Sequence, residues 1–122
     1  PTMKIFITGG EVKHFSSSVV NLDIENSLLN HFNIDIAFCS ARGIDEFNVY
    51  EVSLSQAVSK KRIIDKAKET ILLIDSSKFE VTGFFKINDL KKYRAIISDK
   101  LPNKNATELL DVEWISGDEE YI

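Results

Sequence analysis

Thr70-Ile71-Leu72-Leu73-Ile74-Asp75-Ser76-Ser77-Lys78 is the stretch on which the fold turns. Its first five residues are β-branched or aliphatic with no polar alternation. A strand of that kind belongs to a parallel sheet with both faces covered. The acid and two serines that follow read as a small polar turn. Upstream, residues 54–69 hold apolar side chains at helical spacing and predict the longest helix of the chain. Further out, Ile34-Asp35-Ile36-Ala37-Phe38-Cys39 is a second apolar strand that stops at Ser40-Ala41-Arg42-Gly43. Met3-Lys4-Ile5-Phe6-Ile7-Thr8 reads as a strand punctuated by Gly9-Gly10, and 21–32 as a helix capped by Asn21. The second half continues with a short helix at 87–93, a strand at 94–99, a helix at 105–110 and a strand at 112–115. Such alternation predicts one α/β domain with a largely parallel sheet.

The bulk properties fit this reading. The chain has 122 residues, 43% hydrophobic and 28% charged, enough to build a core and too apolar for a disordered segment. The net charge is −4. The densest basic run, Lys60-Lys61-Arg62, is followed by Asp65 and Glu69, and Asp118-Glu119-Glu120 is acidic. A surface gripping nucleic-acid phosphates needs clustered bases, so DNA contact is not expected from these residues. Cys39 stands alone, which excludes an internal disulfide. In an apolar strand it reads as a small buried residue. Apolar stretches are too short to span a membrane, and a cytoplasmic location is expected. P-loop, nucleophile-elbow and dinucleotide glycine patterns are missing, so no cofactor is expected. His14 and His31 lack a Cys or carboxylate at ligand spacing, so no metal site is expected either.

In open parallel sheets, ligands sit beyond the carboxyl ends of the strands. That rule selects four loops: Gly9-Gly10; residues 40–45 with Ser40, Arg42, Gly43 and Asp45; residues 75–78 with Asp75 and Lys78; and residues 98–100. Small hydroxyl residues beside charges suit a small polyhydroxylated anion. The same residues are also ordinary turn formers. In the predicted helix, Lys60 falls on the apolar arc between Ala67 and Ile64, with Gln56 one turn earlier. An ammonium there needs a partner or a bound anion, or else it reaches out from the edge of the packed face. Arg42 beside Gly43 has the shape of a phosphate clamp or of plain surface decoration.

Together these segments resemble the C-terminal domain of DeoR-family transcriptional repressors. Ile7-Thr8-Gly9-Gly10 is similar to a strand ending in paired glycines. The stretch 35–45 is similar to an Asp-x-Ala-Phe motif followed by a small loop and Gly-Ile-Asp. Gln56-Ala57-Val58-Ser59-Lys60-Lys61 resembles a helical Glu-Ala-x-x-Lys-Arg. Leu73-Ile74-Asp75-Ser76-Ser77-Lys78-Phe79 resembles an Asp-Ser-Ser-Lys-Phe signature, and Ile96-Ile97-Ser98-Asp99 a later Ile-x-Thr-Asp. The resemblance implies a Rossmann-like three-layer fold, akin to ribose-5-phosphate isomerase, glucosamine-6-phosphate deaminase and CoA transferases. It implies a sensor of phosphorylated sugars, homo-oligomeric, coupled to a winged helix-turn-helix that alone contacts DNA. It further implies that 1–122 is a fragment, truncated on its N-terminal side, that lacks this winged helix and a first phosphate loop. Ser40 stands where the family pattern has glycine, Arg42 where it has a small or amide residue, and Gln56 where it has glutamate.

Two other functions share the fold. A sugar-phosphate isomerase or deaminase needs a general base near the sugar carbon. The chain offers Asp45 and Asp75 but Gln56 in place of the helical acid. A ligand-free oligomerisation module would use its unpaired first strand to attract a partner.

Overall fold

The computed structural model describes residues 2–14, 18–20, 27–103 and 112–117. Among the described residues, nine short strands and one α-helix are arranged as a parallel sheet, an antiparallel sheet and a hairpin. The hairpin pairs β1 (Glu11–Lys13) with β2 (Ser18–Val20). The parallel sheet has the order β3-β6-β8-β9, from β3 (Ile34–Cys39), β6 (Ala67–Leu73), β8 (Ala95–Ser98) and β9 (Glu113–Ser116). Between them lie β4 (Gly43–Ile44), β5 (Asn48–Glu51) and β7 (Phe85–Asp89), which form the antiparallel sheet, and α1 (Leu54–Lys66). The chain is thus α/β with a four-strand parallel sheet.

Helix α1 starts at Ser53, whose hydroxyl accepts the Gln56 amide at 3.2 Å. It ends at Lys66, three residues earlier than its spacing predicts, and Ala67 opens β6 with no loop between. Residues 67–69 have good helix propensity, yet the ladder wins. Ala67 pairs with Ile34 and Glu69 with Ile36, so their backbone groups are satisfied by β3. The same override corrects 87–93. Instead of a helix, β7 runs from Phe85 to Asp89 against β5, with Val49 opposite Asn88, and only a single 3-10 turn, Leu90–Lys92, follows.

Two other expectations meet a different structure. Met3-Lys4-Ile5-Phe6-Ile7-Thr8 forms no strand. Met3, Ile5 and Ile7 are exposed, and Phe6 rests on the Phe32 ring at 5.1 Å. A β-prone run without a partner strand gains no ladder bonds. Of the helix at 21–32, residues 28–31 form a 3-10 turn, capped by the Ser27 hydroxyl, and 21–26 lie outside the described residues. The helix at 105–110 lies outside them too.

The core fills the space between one face of the parallel sheet and the layer made by α1 and the antiparallel sheet. Leu72 and Ile96 from the sheet meet Val49, Ala57, Ile64, Ile87, Leu90 and Tyr93 there. Burying such side chains stabilises by about 1.5–3 kcal/mol each. On the opposite face of the sheet the described residues place no layer, and Ile36, Phe38, Leu73 and Ile115 are exposed.

Candidate functional site

The carboxyl ends of the parallel strands and the antiparallel sheet enclose a cavity of about 380 Å3, within the size range of small-molecule sites. Three loops selected from the sequence meet around it. The first supplies Ile44, Asp45 and Glu46, the second Ser76, Phe79 and Glu80, and the third Lys100. Leu101, Pro102 and Trp114 complete an apolar wall, where Phe79 and Trp114 meet edge to face at 5.7 Å. Among the described residues that line it, Lys100 is the one cation.

Each loop is held by a carboxylate. Asp45 accepts the Phe47 amide at 2.9 Å, the Asn48 amide at 2.8 Å and the Tyr50 hydroxyl at 2.6 Å. Partial burial works to raise the Asp45 pKa, but these donors outweigh it and hold the carboxyl below its ordinary range. Asp75 caps the 3-10 turn Ser76–Lys78 by accepting the Ser77 amide at 3.0 Å and the Ser77 hydroxyl. Hydrogen bonds from Ser77 keep its pKa low. Asp99 accepts the Ser76 amide at 2.6 Å and the Ser76 hydroxyl at 2.9 Å, tying the second loop to the third. The Ser76 amide is the main reason its pKa is also low. A bridge between Ile44 and Phe79 joins the first loop to the second.

Gly43 is needed for packing. A Cβ there would lie 2.0 Å from the Val81 carbonyl oxygen, so only glycine lets the 81–83 backbone approach. Glu80, just before, has φ 58°, a left-handed conformation that costs a non-glycine residue free energy.

The nine residues singled out from sequence separate accordingly. Asp45 lines the cavity, Gly43 shapes its first loop, and Asp75 and Lys78 flank the lining residue Ser76. Arg42 is exposed and Ser40 sits at the end of β3, and neither lines the cavity. Lys60 is occupied. Its ammonium pairs with the buried Glu51 carboxylate and donates to the Ser40 carbonyl at 2.7 Å. This pair pins the start of the first loop to α1, so the lysine on the apolar face has found a protein partner. Gly9 (φ 77°) and Gly10 (φ 133°) use left-handed backbone to lead into β1 and do not line the cavity. Sequence reasoning missed Glu51, because its strand is short and polar, and passed over Lys100 inside a loop it did select. Burial raises the pKa of the Cys39 thiol, a pull that Lys60 partly offsets.

A cavity fed by strand-end loops is the arrangement typical of a small-molecule-binding module. Residues 1–100 match the DeoR C terminal sensor domain. The chain belongs to that family of sensor domains. It is 28% identical over 114 residues to the HTH-type transcriptional repressor GlcR of Bacillus subtilis, covering 89% of this chain and 42% of that protein. Against the deoxyribose operon repressor of Escherichia coli K12 it is 31% identical over 109 residues, covering 84% and 40%. The L-fucose operon activator of Haemophilus influenzae is 32% identical over 99 residues, covering 80% and 39%. The chain therefore spans about two fifths of the length of the curated relatives it matches. Among the described residues, no helix is long and apolar enough to cross a membrane.

Proposed function

We propose that the chain is the effector-binding part of a cytoplasmic transcriptional regulator of carbohydrate genes and that it senses a phosphorylated sugar without turning it over. The observation that carries this reading is the cavity. It forms where three strand-end loops of a sensor-family chain converge, and it pairs an apolar aromatic wall with a few polar groups. In this reading Lys100, with Lys78 close to the second loop, meets the phosphate. The carboxylates of the rim accept from sugar hydroxyls, Ser76 exchanges hydrogen bonds with them, and Phe79 and Trp114 pack against the ring carbons. Gly43, Asp45 and Asp75 hold the loops in place. Gly9, Gly10, Ser40, Arg42 and Lys60 act outside the cavity, Lys60 by anchoring the first loop.

DNA contact belongs to polypeptide outside these residues, a winged helix in the resemblance drawn above, and the assembly is homo-oligomeric. The relatives include named repressors and a named activator. A ligand shifts DNA affinity only by its unequal binding to the two states of the regulator, so the same sensor serves either sign. No step of bond making is assigned, and relatives named as regulators support a sensor over an isomerase or deaminase.

The test is a thermal-shift panel of phosphorylated pentoses and hexoses, their unphosphorylated parents and inorganic phosphate. A member present at a hundredfold its Kd stabilises by about 2.7 kcal/mol. We expect a shift from one phosphorylated sugar that Lys100→Ala abolishes without lowering the ligand-free midpoint. A panel without any shift, or steady product formation, refutes the reading.

A further inference from the structure

We propose that Asp99 is a catch released by the effector's anionic group. The anion, held by Lys100, takes the Ser76 hydroxyl from the Asp99 carboxylate and so unties the second cavity loop from the third. This role rests on the sensor reading above and concerns how occupancy of that same cavity reaches the sheet.

Ser76 and Lys100 both line the cavity, one from each loop. Asp99 precedes Lys100 in the chain but is not among the lining residues. Its carboxylate reaches across to the second loop instead, where Oδ1 accepts the Ser76 amide at 2.6 Å and Oδ2 the Ser76 hydroxyl at 2.9 Å. A serine hydroxyl has one proton to donate. An anion that meets Ser76 from the cavity gains that proton only when Asp99 gives it up. The lone pairs of the same oxygen stay available to a sugar hydroxyl. Repulsion acts in the same sense. Hydrogen bonds from Ser76 keep the Asp99 carboxyl ionised at neutral pH. An anion drawn to the neighbouring Lys100 ammonium therefore meets a like charge close by, and the two disfavour each other.

The surroundings let the carboxylate turn away without moving its own backbone. The buried Ser116 hydroxyl donates to the Asp99 carbonyl at 3.1 Å and fixes that backbone to β9. The Ser98 hydroxyl donates to Oδ1 at 3.2 Å, a partner the carboxylate keeps when it leaves Ser76. The second loop also keeps its fold, because Asp75 still caps the turn Ser76–Lys78 through Ser77. Breaking the two Ser76 bonds thus changes how the loops sit against each other and leaves each loop's own structure intact. Leu101 and Pro102 of the third loop share the apolar wall with Phe79 and Trp114, so the shift is felt there. Trp114 and Ser116 both belong to β9, which carries the change to the edge of the parallel sheet. Occupancy is reported because the two arrangements of the loops bind the anion unequally.

Inorganic phosphate, titrated at constant ionic strength, is the probe. Binding to the 122-residue chain is read by NMR and by the emission of Trp114, the sole tryptophan. The wild-type chain is compared with Asp99→Asn, Ser76→Ala and the double variant. We expect Asp99→Asn to bind phosphate about tenfold more tightly than wild type, or better. In the Ser76→Ala background the same change should gain less than about threefold, because the contested proton is gone. Phosphate should shift Trp114 emission in the wild-type chain, and Asp99→Asn should show part of that shift before phosphate is added. Equal or weaker binding by Asp99→Asn overturns the proposal and leaves Asp99 a plain fastener. An equal gain in both backgrounds also overturns it, since charge alone then accounts for the effect. Emission indifferent to phosphate refutes the untying of the loops, and an Asp99→Asn chain that binds no phosphate refutes the competition. The sugar panel on the wild-type chain judges the sensor reading by itself, so the two ideas fail separately.

Discussion

At the carboxyl end of the parallel sheet, backbone amides are gathered by side-chain carboxylates. Asp45, Asp75 and Asp99 each hold a loop, and a paired Lys60 and Glu51 secure the first of them from below. At the amino end, by contrast, a shallow groove bears Lys68, Lys91, Lys92 and Arg94 beside Glu69, and two exposed ion pairs lie there. Lys68 meets Asp35 at 3.3 Å and Arg94 meets Glu69 at 3.1 Å. Screened pairs of mobile side chains contribute about 0–1 kcal/mol and fix little geometry. A carboxylate that accepts neighbouring amides sets a loop in one conformation, and a cavity needs that precision. The difference teaches that the end carrying the candidate site is the end where charge holds backbone.

Substitutions can break or sharpen this contrast, and urea-unfolding midpoints read all of them. The largest effect is expected from Gly43→Ala, because the new methyl meets a backbone oxygen that cannot rotate away; about 3 kcal/mol should be lost. Next comes Glu51→Ala, which takes the carboxylate from the partly buried Lys60 ammonium and leaves it the Ser40 carbonyl. A loss of about 2–3 kcal/mol is expected, below the range for fully buried pairs because Lys60 keeps 23% of its side chain exposed. The double change Glu51→Leu with Lys60→Met should recover most of that; no recovery would mean the pair does more than neutralise itself. Asp45→Asn, which keeps the shape and removes the charge, should cost about 1–2 kcal/mol. At the amino end, Lys68→Ala should stay within about 0.5 kcal/mol. If it matched Asp45→Asn, the contrast would fail.

Acid titration sharpens the same point. The folded-state pKa values of Asp45, Asp75 and Asp99 lie below their ordinary value. Their stabilisation is therefore complete above the unfolded value of about 3.9 and is lost as pH falls through the depressed folded values. Thermal midpoints should be level from neutral pH to about pH 5 and fall below about pH 4. Asp45→Asn should flatten the fall, and an unchanged slope would move the titration elsewhere.

What the sequence made legible followed from local repetition. β3 was readable to the residue because Ile34 to Cys39 is continuous and β-prone, and β8 and β9 were placed within a residue or two. The antiparallel sheet was not legible. β4 has two residues, β5 is polar, and β7 pairs Asn88 with Val49 from far along the chain, a stabilisation that leaves no periodic trace. Of the candidate site, the strand-end rule selected three loops that line the cavity and a fourth, Gly9-Gly10, that does not. Which side chains line the cavity depends on non-local pairing. Lys60 drew attention for a sound reason, an ammonium on an apolar arc, but the partner that answers it lies in the strand that could not be read.

Glu80 sets an engineering trade at the cavity rim. Its left-handed backbone would relax by about 1 kcal/mol on replacement with glycine. A redesign ranked by thermostability alone would therefore choose Glu80→Gly early. In doing so it would delete a carboxylate from the cavity lining. If the cavity holds the proposed effector, designers would see a tougher protein with a blunted response, a cost hidden from any screen that scores melting alone.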